Sequence, residues 1–87
     1  MKNEIKLVLE KIKGSPGLAK ILPDTANIIE DVGLDSLEMM DFMLEVENHF
    51  EMEIDFERLE FEFLESIEKF SGFLYREKSI RASLGKK

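Results

Sequence analysis

The sequence predicts an all-α fold: a small four-helix bundle, three main helices plus one short one, with a long first loop. Three observations point to it. Apolar residues recur at helical spacing in three separate stretches, around Ile5, Phe42 and Ile67. The one strand-like alternation, Glu51 to Asp55, has no second strand to pair with. A chain of 87 residues without cysteine must also draw its stability from packed side chains, not disulfides or a Cys-based metal site. The expectation is a single domain over residues 1–78, followed by a flexible basic tail over residues 79–87.

The elements follow in order. Ile5, Val8, Leu9 and Ile12 stand at i, i+3, i+4 and i+7 with Lys and Glu between them, which predicts an amphipathic helix from Lys2 to Lys13. Gly14, Ser15, Pro16 and Gly17 end it, because glycine favours a C-cap and proline cannot continue the ladder. The connection to Asp35 carries too many apolar residues to be left in water, Leu18, Ile21, Leu22, Ile28, Ile29 and Val32 among them, so it lies across the bundle. A helical turn is expected over Gly17–Leu22, and Asp24-Thr25 is positioned to cap another.

The second long helix is predicted from Ser36 to Glu51. Met39, Phe42, Met43, Val46 and Phe50 make its core stripe, while Leu37, Met40 and Leu44 form a neighbouring line. Flanked by Glu38, Asp41, Glu45 and Glu47, this second line has the composition of a partner-binding surface, although burial within the bundle would also account for Met40 and Leu44. Beyond it, residues 51–55 read as an extended loop with Met52 and Ile54 pointing inward. Phe56–Glu60 is the candidate short helix, capped by Asp55. Leu64, Ile67, Phe70 and Leu74 then predict the last helix, starting at Glu65-Ser66 and finishing at Arg76 to Lys78. Gly72 in its interior marks a close helix approach or a bend.

The net charge is −7, and its distribution says more than its sum. Residues 30–65 carry fourteen Asp or Glu against the single base Arg58, a net −13, while the rest of the chain carries five acids and eleven bases, a net +6. This argues against nucleic acid and anionic membrane as partners and suggests a negative docking face for basic surfaces. No run of about 18 apolar residues is present, so no membrane insertion is expected, and the reading is a cytoplasmic monomer.

The acidic segment centres on Gly33-Leu34-Asp35-Ser36-Leu37. Asp35 is a good N-cap and Glu38 lies three residues on, the Asp-x-x-Glu form of a capping box. Ser36 then sits in the first helical turn with its hydroxyl free of helix hydrogen bonding, beside N–H groups and a dipole end that favour phosphate. Ser36 is thus a modification site or simply part of a cap. A nucleophile of the hydrolase kind is excluded, because the only histidine, His49, lies thirteen residues on, roughly 20 Å along the same helix. Asp31, Asp35 and Asp41 do not make a calcium loop: Ser36 takes the place of the required glycine and Phe42 that of the final Glu. No metal site is expected.

The run Glu30-Asp31-Val32-Gly33-Leu34-Asp35-Ser36-Leu37-Glu38-Met39-Met40 resembles the phosphopantetheine attachment region of acyl carrier proteins. Leu44 to Ile54 is similar to the end of that family's second helix. The resemblance implies a four-helix carrier with no catalysis of its own. Ser36 would receive 4′-phosphopantetheine from coenzyme A through a separate, magnesium-dependent phosphopantetheinyl transferase, with Asp35 as the acid beside the transferase's metal. It further implies that Leu37, Glu38, Met40, Asp41, Leu44 and Glu47 form the surface read by acyl-loading and acyl-processing enzymes with basic docking faces. The Ser15–Leu22 segment, the longer Phe56–Phe63 region and Asn48 depart from the usual fatty-acid-synthesis pattern. Alternatives are an aminoacyl or peptidyl carrier and, from another class, an acidic helical interaction module without a prosthetic group.

Overall fold

A computed structural model describes residues 1–84. Helix α1 spans Lys2–Lys13, α2 Leu18–Ile21, α3 Ser36–Phe50 and α4 Ile67–Leu84, with a 3₁₀ turn over Phe61–Leu64. Three long helices and one short one are therefore present, and no strand occurs among the described residues. The periodicity places α1 correctly at both ends and α3 to within a residue. Gly14, at φ 59° and ψ 36°, closes α1 in a Schellman arrangement: its N–H bonds the Lys11 carbonyl and the Ser15 N–H bonds that of Glu10.

The core gathers Ile5, Val8 and Leu9 of α1, Phe42, Met43, Val46 and Phe50 of α3, and Ile67, Phe70, Phe73 and Leu74 of α4. The Phe42 and Phe70 rings join α3 to α4 with centroids 5.3 Å apart, and α1 packs against α2, α3 and α4. The first loop does cross the bundle. Its Ala26, Ile28 and Leu34 are buried, and backbone bonds tie it to Leu64 and to the first turn of α4: Ile28 N–H to Leu64 O, Ile67 N–H to Ala26 O and Glu68 N–H to Asp24 O, each 3.0 Å. Met52 and Ile54 point inward as expected.

Four expectations are corrected. Phe56–Glu60 is not a helix. Asp55 caps a single turn there, accepting the Glu57 N–H on Oδ1 at 3.0 Å and the Arg58 N–H on its carbonyl. Leu59 and Glu60 then lie outside any helix, Glu60 in extended conformation, with Arg58 held on α4 by Glu77 and the Leu64 carbonyl held by the Ile28 N–H. The helical turn forms later, at Phe61–Leu64. Asp24-Thr25 caps no helix, since the Asp24 carboxylate pairs with Lys6 at 2.7 Å and Lys2 at 3.5 Å on α1. Of the two readings of Gly72, the close helix approach is the one overturned, because a Cβ placed there would meet nothing within 4 Å. Helix α4 does not finish at Lys78; the expected tail is helical as far as Leu84, and residues 85–87 lie outside the described residues.

Candidate functional site

The corner before α3 is built from local hydrogen bonds. Asn27 Oδ1 accepts the N–H groups of Ile29 and Glu30, at 2.9 and 2.8 Å, and so starts a tight helical turn. Gly33 ends that turn at φ 78°, a left-handed conformation that an L side chain adopts only at a cost. Leu34 anchors the chain in the core. Asp35 then reverses it in extended conformation, and the capping box forms in full: Asp35 Oδ1 accepts the Glu38 N–H at 2.8 Å, and Glu38 Oε1 accepts the Asp35 N–H at 3.1 Å.

Ser36 is the first residue of α3 and is exposed. Its hydroxyl has no hydrogen-bond partner among the described residues, and neither do the N–H groups of Ser36 and Leu37. An open first turn of this kind, with free N–H groups at the positive end of the helix dipole, is electrostatically favourable for a phosphate. Asp35 Oδ2 is likewise unengaged. The corner is held from outside by Lys13, whose ammonium donates to the Gly33 carbonyl at 3.0 Å and to Glu38 Oε1 at 3.1 Å.

The residues assigned to a docking face divide into two groups. Leu37, Met40 and Leu44 are 72%, 63% and 56% exposed, so the bundle does not bury the second stripe. Asp41 is exposed and has no partner among the described residues. Glu38 and Glu47 are engaged within the fold. Glu38 serves the cap and Lys13. Glu47, on the last turn of α3, accepts the Ile54 N–H on Oε2 at 2.7 Å, and its carbonyl accepts that of Met52 at 3.0 Å. Glu45 pairs with Lys11 at 2.9 Å. His49, at the far end of α3 from Ser36, pairs with Glu4 of α1 at 3.1 Å. The hydrogen bond from His49 holds the Glu4 carboxyl below its ordinary range.

Sequence reasoning did not foresee a wholly apolar cleft of 370 Å³ beside this face. Met39, Met40, Met43 and Leu44 of α3 form one wall; Phe56, Leu59 and Leu64 form the other. The second wall is pinned to α4. Arg58 Nε donates to the buried Glu77 carboxylate at 2.9 Å, the Phe63 and Phe73 rings lie 5.0 Å apart, and Arg76 stands 5.5 Å over Phe63. The unusual number of Phe residues in 56–63 was the only sequence signal for it. Among the described residues no group of three or more His, Asp or Glu is placed to hold a metal, and no helix is long and apolar enough to cross a membrane.

The family model for the phosphopantetheine attachment site matches residues 6–74, which runs from within α1 to the first half of α4. The chain belongs to the phosphopantetheine-attachment family. No curated protein and no solved structure matches it. The carrier domain is all-helical, its prosthetic group is covalent 4′-phosphopantetheine, and membership of the family implies work with a phosphopantetheinyl transferase and with biosynthetic enzymes. The open first turn of α3 fits that group: an exposed serine oxygen to esterify, with unengaged N–H groups beside it for the phosphate.

Proposed function

We propose that this protein is a cytoplasmic acyl carrier without catalytic activity, modified on Ser36, and that its cargo is apolar. The observation that carries the reading is the exposed Ser36 hydroxyl at the open N-terminus of α3, one turn from an apolar cleft. Met39 and Met40 lie about 4.5–6 Å from Ser36 along the helix axis, so the arm is rooted beside the cleft wall that these two residues form. A cleft without polar lining favours an acyl chain over an aminoacyl group, whose ammonium would lose hydration there.

In the loading step, Ser36 Oγ forms a new P–O bond to the pantetheine-bearing phosphorus of coenzyme A. The P–O–P bridge breaks, adenosine 3′,5′-bisphosphate leaves, and the serine proton passes to a base of the transferase. Asp35, with Oδ2 free, is the chain's own acid beside that step. Partner enzymes then read Leu37, Met40 and Leu44 with Asp41 as the steering charge, against a basic surface with apolar recesses.

Intact mass after incubation with coenzyme A and a promiscuous transferase tests the assignment: the chain gains one phosphopantetheine and Ser36→Ala gains none. Absence of the increase, or its persistence in Ser36→Ala, would refute it. Docking is tested separately with Asp41→Lys, since Glu38 cannot be reversed without disturbing the cap. The variant should melt like the parent, within about 0.5 kcal/mol, and associate with a basic partner enzyme several-fold more slowly at low salt. Unaltered association would move docking off this face.

A further inference from the structure

We infer that Lys13 is the positioning residue for Ser36, the α1 side chain that holds the attachment corner in the geometry a transferase meets. The inference rests on Ser36 being the attachment residue. Lys13 lies 20 residues from Gly33 and 25 from Glu38, yet its ammonium joins them across the serine. It donates to the Gly33 carbonyl on one side at 3.0 Å, and on the other to Glu38 Oε1 and Oε2 at 3.1 and 3.2 Å. Glu38 Oε1 simultaneously accepts the Asp35 N–H, so the ammonium steers the carboxylate that completes the cap.

The last loop residue in the left-handed conformation and the first turn of α3 are thereby fastened to one cation, with Ser36 between them. This pair differs from its neighbour. The Lys13 and Glu38 side chains are 26% and 28% exposed, whereas Lys11, which pairs with Glu45, is 70% exposed, so Lys13–Glu38 is the less screened of the two. Small displacements of a reacting atom cost rate out of proportion to their cost in stability.

The test measures phosphopantetheine transfer to the intact chain by mass, together with amide exchange of the unmodified protein. Lys13→Met should lower kcat for transfer about three- to tenfold, with KM for the carrier changed less than about twofold. Lys13→Arg should restore most of the loss. Glu38→Gln should slow transfer as Lys13→Met does, and the double variant should be no slower than the worse single one, as for two groups acting through one contact. Lys11→Met should transfer at the parent rate. The Asp35 and Glu38 amides should exchange faster in Lys13→Met while the Phe42 and Val46 amides do not.

Parent-like kcat in Lys13→Met, with the parent chain loading normally, overturns the role of Lys13 and leaves the Ser36 assignment standing. A rise in KM at unchanged kcat also overturns it, because Lys13 would then be touching the transferase. Failure of the parent chain to load overturns both readings.

Discussion

Glu47 gives the sharpest contrast between a surface acid and a structural one. Its carboxylate accepts the Ile54 N–H at 2.7 Å, and the segment it holds carries Met52 and Ile54, 8% and 5% exposed, into the core. Glu47→Ala removes a charged acceptor from a backbone donor beside a buried side chain. Bonds of this kind contribute about 1.5–3 kcal/mol, and the stranded donor costs about 1–3 kcal/mol. Because Glu47 is only half-buried, water reaches part of the site, and a loss near the lower end, about 1.5 kcal/mol, is expected. In a domain of this size that lowers Tm by roughly 6–12 °C. Glu47→Gln keeps a carbonyl oxygen within reach and should recover about half of the loss, although it removes the charge completely. Urea and thermal unfolding of the two variants provide the assay. If Glu47→Ala melts within about 2 °C of the parent, the carboxylate does not support the 51–55 segment. If Gln is as damaging as Ala, the effect is one of charge and not of hydrogen bonding.

The other predictions concern conformation and pH. Glu51 closes α3 at φ 52° and ψ 52°, a left-handed position held by a residue with a Cβ; Glu51→Gly should raise stability by about 0.5–1 kcal/mol in urea titrations, and a loss would show that the Glu51 side chain makes a compensating contribution. The hydrogen bond from Lys6, with the charges of Lys6 and Lys2, holds the Asp24 carboxyl below its ordinary range. A carboxyl whose folded value is depressed stabilises the fold above the ordinary range, about pH 4, and loses that contribution as pH falls through the folded value. Asp24→Asn should therefore melt below the parent at pH 7, with the gap closing below about pH 4. A gap constant down to pH 2 would refute the linkage.

Much of the site is legible in the chain because its determinants are local. The capping box needs only residues 35 and 38, and the helix that carries Ser36 is announced by apolar residues repeating every three or four positions. That repeat also separates the line of Leu37, Met40 and Leu44 from the core stripe, but only the packed bundle shows Met40 and Leu44 to be exposed. The acids of α3 were harder to place. Asp41 and Glu47 have the same side-chain chemistry in the sequence, and only their neighbours in space separate an exposed acid without a partner among the described residues from a loop anchor. The 56–64 region was misplaced for a related reason. Asp55 does cap a turn there, but two distant anchors, Glu77 for Arg58 and Ile28 for Leu64, fix the path of the chain, and the helical turn forms at Phe61–Leu64 instead.

Local signals along the chain set the class of fold, the bounds of α1 and, to within a residue, those of α3, the serine at the first turn and the acidity around it. These follow from hydrogen bonds and periodicities that close within a few residues, whatever the rest of the chain does. It takes the packed bundle to show that Lys13 holds the serine's corner, that Glu47 serves the interior, and that Phe56, Leu59 and Leu64 complete a cleft with α3. A long side chain takes whichever acceptor the packed helices bring within about 3 Å, and no spacing along the chain records which one that will be.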